Sequence, residues 1–440
     1  MEKVIINARC SECVGTIRRL NGINNGPPVY HNRYPQKNLI EPMKALWIPM
    51  IRFHDASLVD DGIQLVDVTR VFPLFHADPD DPRNYLFTET DDYIAQCIAT
   101  GSAIEYRLGE TIEHTLKQYR VHPPADFEKW ADICCHIIRH YNEGWANGFH
   151  YNIEHWSIWE EPDTVPMLWT GTLPQYYELY AITSKKIRKE FPNLKIGGPQ
   201  ESFGVPKLEE FVVYCKEHAL PLDFLTYTVY SRDPETLGAM IESAKGVLDR
   251  NGYLNTRVHI AEWHYISRSW TVLSDNSEDA LKMREEMTGI NSAVFISYAL
   301  SLFQDTSLDM AFFYMTFGYN FGIFDDNYLP NKSYYAFKAF ADLADCVGRI
   351  EVPAHPHPAV RVLGGKTDDG RVMFLISCFK ASNMDLEIDT GNYDWNDFSV
   401  QVLDETHNLT GDDDQIRKTD SKLIISKDMP GSVAYLVTLF

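Results

Sequence analysis

No stretch of this chain approaches the ~20 apolar residues that a bilayer span requires. The start, Met1-Glu2-Lys3-Val4-Ile5-Ile6-Asn7, also lacks the apolar core of a secretory leader. The first absence argues against a membrane protein. The second gives the expectation of a cytoplasmic protein, or of a secreted one whose leader has been removed. Positive charge is short as well: 40 Lys and Arg stand against 62 Asp and Glu, a net charge of −22. Phosphate backbones and anionic lipid attract the opposite sign, so nucleic acid and membrane surfaces are excluded as expected partners, and a neutral substrate fits.

Metal-ligand spacing is missing too. Cys10-x-x-Cys13 has no second pair to complete a zinc site, and the other six cysteines are scattered, with Cys134 and Cys135 adjacent in one helical pattern. His264 follows Glu262 by two residues, but no further His falls at ligand spacing with it. Neither a catalytic metal nor any other cofactor is therefore expected. There is no glycine-rich nucleotide fingerprint, no internal repeat and no low-complexity tract. Nothing in the sequence sets the number of subunits.

What is present is a rhythm. Hydrophobic residues make up 45% of the 440, enough for a large core, and aromatics reach 13%, more than a plain core needs. Short, almost continuously apolar runs alternate with longer helical patterns, as in parallel strands covered on both faces. The runs are Gly15–Asn21, Trp47–His54, Ala103–Leu108, His155–Trp159, Leu194–Gly198, Phe224–Tyr230, Val258–Trp263 and Met310–Thr316. Between them, Asp91–Thr100, a helix capped by Asp126, Gln175–Phe191, Leu208–His218, Pro234–Arg250, Glu278–Leu302 and Ser333–Asp345 read as helices. An open doubly wound sheet would share this rhythm. Eight units and the missing fingerprint favour an α/β closed (β/α)8 barrel over residues 15–350. After about Glu351 the texture changes to short strands with turns, expected to form a small accessory β-sandwich over 351–440. Residues 1–14 supply a strand, Lys3–Ala8, expected to join it.

A barrel of this kind carries its site at the C-terminal ends of its strands. The fourth run ends in Trp159-Glu160-Glu161-Pro162-Asp163 and the seventh in Ala261-Glu262-Trp263-His264. Two carboxylates so placed suit glycoside hydrolysis with retention, which needs a pair roughly 5–5.5 Å apart. One of the two is expected to attack the anomeric carbon, and the other to protonate the departing oxygen and then activate water. Arg52 and His54 sit one strand period apart and share a face; an arginine near Glu262 would keep that carboxylate ionised. Tyr230 is a candidate hydrogen-bond partner of Glu262; Asp55 and Asp61 are weaker candidates. Glu160 stands beside Glu161, so one of the two should titrate high or find a cation, with Arg52 and Arg107 as candidates, and Glu160 is expected to accept from a sugar hydroxyl.

Six segments, in order, give the chain a family likeness: Ile17–Pro27 (IRRLNGINNGP), Ile51–Asp61 (IRFHDASLVDD), Trp156–Asp163 (WSIWEEPD), Leu194–Pro199 (LKIGGP), Ile260–Trp263 (IAEW) and Phe321–Tyr335 (FGIFDDNYLPNKSYY). The sequence resembles glycoside hydrolase family 39, of the clan with its acid/base on strand four and its nucleophile on strand seven, which implies Glu161 as acid/base and Glu262 as nucleophile. The resemblance implies a retaining exo-acting glycosidase on oligosaccharides or glycosides, with β-xylosidase and α-iduronidase substrates as the family's own. Three pocket positions depart from it: Glu160 stands where Asn is usual, Thr228 where a His two residues before the Tyr is usual, and Met315 where a Trp is usual. These changes leave open a different sugar (arabinoside, glucoside or galactoside) or a carbohydrate-binding relative without catalysis. A barrel enzyme of unrelated chemistry would need a Schiff-base Lys or His/Asp clusters at strand ends, which are missing.

Overall fold

A computed structural model describes residues 2–29, 38–55, 64–202, 204–273, 277–318, 320–353, 357–381, 384–411, 416–419, 421–427 and 431–440. Eight parallel strands close into a barrel. They are β1 (Asn21–Asn24), β2 (Met50–Arg52), β3 (Ala103–Leu108), β4 (His155–Ile158), β5 (Lys195–Glu201), β6 (Phe224–Ser231), β7 (Arg257–Tyr265) and β8 (Met310–Phe313). Each neighbours the next, and β8 pairs with β1 to complete the ring. The strands' apolar side chains, such as Ile51, Tyr106, Trp156 and Ile260, are buried and run into one core with the surrounding helices.

Several helices start where side chains satisfy their first amides. Asp126 accepts from the Lys129 amide ahead of Phe127–Glu143. Thr172 and Gln175 form a reciprocal capping box ahead of Leu173–Glu190. Two expectations from sequence need correction. The span expected as one helix, Glu278–Leu302, is two, Glu278–Thr288 and Ile290–Leu302, because Gly289 leaves the helical conformation between them. The first barrel strand is Asn21–Asn24, and the expected Gly15–Asn21 does not form one. Asn-Gly-x-Asn has turn-like composition. Here Gly22 admits the Ala311 carbonyl and the Phe312 ring at distances no Cβ tolerates, and both asparagines bond buried backbone carbonyls.

Two further sheets lie beside the barrel. One has four strands in the order Glu2–Asn7, Met384–Asp389, Lys422–Lys427 and Ile416–Thr419. The other has seven, in the order Asn408–Gly411, Phe398–Leu403, Gly431–Leu439, Val372–Ala381, Val360–Lys366, Gly348–Glu351 and Arg9–Gly15. Val4, Ile6, Leu386 and Ile425 of the first share an apolar core with Val372, Phe374, Val402 and Tyr435 of the second, so the pair is a sandwich. The opening segment therefore feeds both sheets, with Glu2–Asn7 running parallel to Met384–Asp389. Ser377 donates its hydroxyl to Ser297 of Ile290–Leu302 at 2.8 Å, joining sandwich to barrel helix. Among the described residues no helix is long and apolar enough to cross a membrane. The eight cysteines are free thiols, and only Cys13 is exposed.

Candidate active site

The C-terminal ends of β4 and β7 bring together the two glutamates singled out from sequence. On β7 an extra residue interrupts the ladder: Tyr227 pairs with Ile260 but Thr228 with Glu262, and β8 registers the same step. This bulge at Ala261 re-aims Glu262. The Ala261 carbonyl, freed from the ladder, accepts from Asn24 Nδ2 at 2.8 Å. A matching step on β5 leaves Gln200 unpaired between Pro199 and Glu201, at a φ of 62°.

Glu262 is almost wholly enclosed. Tyr230 donates its hydroxyl to Oε2 at 2.7 Å, His54 Nε2 lies 2.5 Å from Oε1, and Arg52 Nη1 lies 3.8 Å from Oε1. Burial alone would raise this carboxyl's pKa. The His54 charge and contact, Arg52 and the Tyr230 hydroxyl outweigh that and hold it below the ordinary 4.5. His54 is drawn the other way. Burial would lower it, yet Glu160, Glu262 and Asp55 push it up to about 10.

Glu161 follows β4 with a φ of 31°, a left-handed backbone that few side chains adopt. It opens the turn Glu161-Pro162-Asp163-Thr164, closed by the Thr164 amide donating to the Glu161 carbonyl at 2.9 Å. Burial first, then the charges of Glu262 and Glu160, push its carboxyl up to about 8. The two glutamates thus sit in environments that separate their titrations, one ionised and one protonated near neutrality.

Glu160 does not face solvent. Arg52 Nη2 donates to its Oε2 at 2.5 Å, Arg107 Nε lies 3.8 Å from Oε2, and His54 Nε2 is 3.9 Å from Oε1. Oε1 is buried and has no hydrogen-bond partner among the described residues. Arg52 is shared further: Asn24 Oδ1 accepts from it at 2.7 Å and Gln200 Oε1 accepts from its Nη2. Asp55 accepts from Asn25 Nδ2 and the Tyr314 hydroxyl, each at 2.7 Å, and backs His54. Asp61 lies outside the described residues. Asn24, Gln200 and Tyr314 were missed from sequence. Gln200 directly follows the LKIGGP segment and Tyr314 directly precedes the altered Met315, so adjacency was the available signal.

Ligand atoms of His54, Glu160 and Glu262 lie within 4.8 Å of one another, close enough for one cation to bridge. Arg52 already holds both carboxylates, and a His54 ring protonated up to about 10 offers no lone pair at neutral pH. The donor set is organised around its own guanidinium. At the mouth, Trp270 meets Tyr230 edge-on with ring centres 4.6 Å apart, next to Phe321.

A closed β/α barrel with opposed carboxylates at the ends of its fourth and seventh strands is the architecture that retaining glycoside hydrolysis uses. The profile of glycosyl hydrolases family 39 matches residues 65–372, and the chain belongs to that family. It is 22% identical over 249 residues to a beta-xylosidase of Geobacillus stearothermophilus, covering 51% of this chain and 48% of that enzyme. A beta-xylosidase of Caldicellulosiruptor saccharolyticus is 24% identical over 234 residues, covering 49% of this chain and 46% of its own. The chain thus spans about half the length of the curated relatives it matches. The crystal structure of a glucosidase from Croceicoccus marinus shares the fold, with a TM-score of 0.78 at 22% identity over 100% of this chain and 99% of that one.

Proposed function

We propose that the chain is a retaining, xylosidase-like glycoside hydrolase with an altered pocket, acting by double displacement. The observation that carries this reading is the opposite pull on Glu161 and Glu262 in one buried site. Glu262, ionised, attacks the anomeric carbon while Glu161 gives its proton to the departing glycosidic oxygen. In the second half Glu161 takes a proton from water, which attacks the glycosyl-enzyme and releases Glu262. Tyr230 and His54 hold the nucleophile. Arg52 is fully buried, so its role is to fix Glu160 and Glu262. Glu160 Oε1 is the acceptor offered to a sugar hydroxyl. The barrel over 15–350 is the catalytic unit in this reading, with 351–440 and residues 1–14 as its accessory sandwich.

Exo action on β-xylosides and related plant-type oligosaccharides is the substrate reading, taken from the relatives and qualified by Glu160, Thr228 and Met315. A panel of aryl glycosides tests it, with Glu161→Gln and Glu262→Gln as controls. Glu161→Gln should lower kcat/KM on an unactivated oligosaccharide by about 10²–10⁴-fold, and Glu262→Gln should abolish turnover. Either variant at parental rate would refute the assignment. Sugar binding by calorimetry with no product on any glycan would instead mark a binding protein.

A further inference from the structure

Glu161 does not stand alone at the end of β4. Thr164 Oγ1 donates to Glu161 Oε2 at 3.0 Å and lies 3.0 Å from Ser202 Oγ. Ser202, just past β5, reaches Asp163 twice: its amide donates to Oδ2 at 3.1 Å and its hydroxyl to the same oxygen at 3.3 Å. Glu201 lies close enough to Asp163 for that charge, after burial, to help push its carboxyl up to about 9. A file of hydroxyls and carboxyls runs from Asp163 through Ser202 and Thr164 to Glu161. It ties the loop after β4 to the loop after β5.

From this geometry we infer that Thr164 is a positioning residue for Glu161, held in place by Ser202 and Asp163. It selects Glu161 Oε1 as the oxygen that exchanges the proton. The inference rests on Glu161 being the acid/base. The physical reason lies in the two-sided demand on that group. A carboxyl that first gives and later takes a proton must present the same oxygen to the same space both times. Its two oxygens are equivalent until something occupies one. Thr164 occupies Oε2 from the same four-residue turn that Glu161 opens, so backbone and hydroxyl bonds to one residue fix the carboxyl's plane. Where Ser202 turns its hydroxyl toward Thr164, the Thr164 proton is committed to Glu161. Where Ser202 turns to Asp163, the Thr164 proton is shared. The other groups facing Glu161 are Glu262, Glu160 and Asp163, whose charges raise its pKa, and the Thr228 hydroxyl, whose hydrogen bond lowers it.

The test begins with the parent's pH profile of kcat/KM on an aryl β-glycoside, beside Glu161→Gln. If the basic limb survives in Glu161→Gln, the acid/base assignment itself fails. If it vanishes, Thr164→Val decides the inference. A hydrogen bond to the ionised carboxylate favours that form, so its loss should move the basic limb up by about one pH unit. With a dinitrophenyl leaving group, which needs no acid, the base-assisted second step should limit kcat, and Thr164→Val should lower it. Thr164→Ser should restore both the limb and the rate, and Ser202→Ala should shift the limb in the same direction by less. A Thr164→Val enzyme with the parental limb and kcat overturns the inference. So does one slowed equally at every pH and not rescued by Ser, since that is the mark of a merely structural role.

Discussion

At the scale of single residues, the site works by unequal treatment of like groups. Three glutamates share it. Glu160 is ion-paired with Arg52 though burial raises its pKa, Glu262 is held ionised by His54, Arg52 and Tyr230, and Glu161 faces two other carboxylates. The pH dependence of catalysis follows. Activity requires Glu161 protonated and Glu262 ionised, so kcat/KM should fall as pH rises through about 8, where Glu161 gives up its proton. On the other side it should hold as pH drops to the ordinary 4.5 and fall only below it, because Glu262 is depressed. A bell centred well below neutrality, with its basic limb near 5, would contradict the placement of Glu161. These residues were legible because each lies in a contiguous strand-end motif. Gln200, Asn24 and Tyr314 were not, since their parts depend on which distant carbonyls and carboxylates the closed ring brings to them.

Among the elements, two bulged strands do the aiming. The extra residue on β7 and the one on β5 change which side chains face the mouth, and strand patterns read from sequence carry no signal for such a step. The same limit explains the first strand. Its Asn and Gly residues have turn composition, and only the close approach of β8 makes them a strand. Helices with caps and long amphipathic faces were read closely, as with Pro234–Arg250 and the Asp126-capped helix. Strand β5 also shows how tightly the barrel is filled. A Cβ added at Gly197 would lie 2.1 Å from the Phe224 ring, which packs 4.7 Å from the His259 ring. Gly197→Ala should therefore destabilise the fold by about 1–3 kcal/mol, measured by urea denaturation. An unchanged midpoint would mean that the ring has room to move.

For the molecule as a whole, the buried acids set how stability depends on pH. Burial is the largest cause in raising Glu110 and Glu161 to about 8 and Glu201 to about 9. Each holds a proton that the unfolded chain releases above the ordinary 4.5, so stability falls as pH climbs from there toward 9. His54, pushed up to about 10 by Glu160, Glu262 and Asp55 against the effect of burial, acts in the same sense. Its contribution is complete below 6.5 and lost as pH rises through 10. Asp55 and Glu262, both depressed, lose theirs as pH falls through their lowered values. His155 and His264, lowered by burial to about 4, lose their contribution as pH falls below 6.5, so the melting temperature should peak between about pH 4.5 and 6.5 and decline toward pH 9. A flat profile over that span, by scanning calorimetry, would show that these groups titrate as in the unfolded chain.

The strand Glu2–Asn7 pairs with Met384–Asp389, and Ile6 is buried in the sandwich core. On the ribosome the first partner is made almost a whole chain before the second. Through that interval an apolar strand waits with an open edge, while the barrel it adjoins can already close. Joining these two strands is therefore a long-range docking, costly in loop entropy.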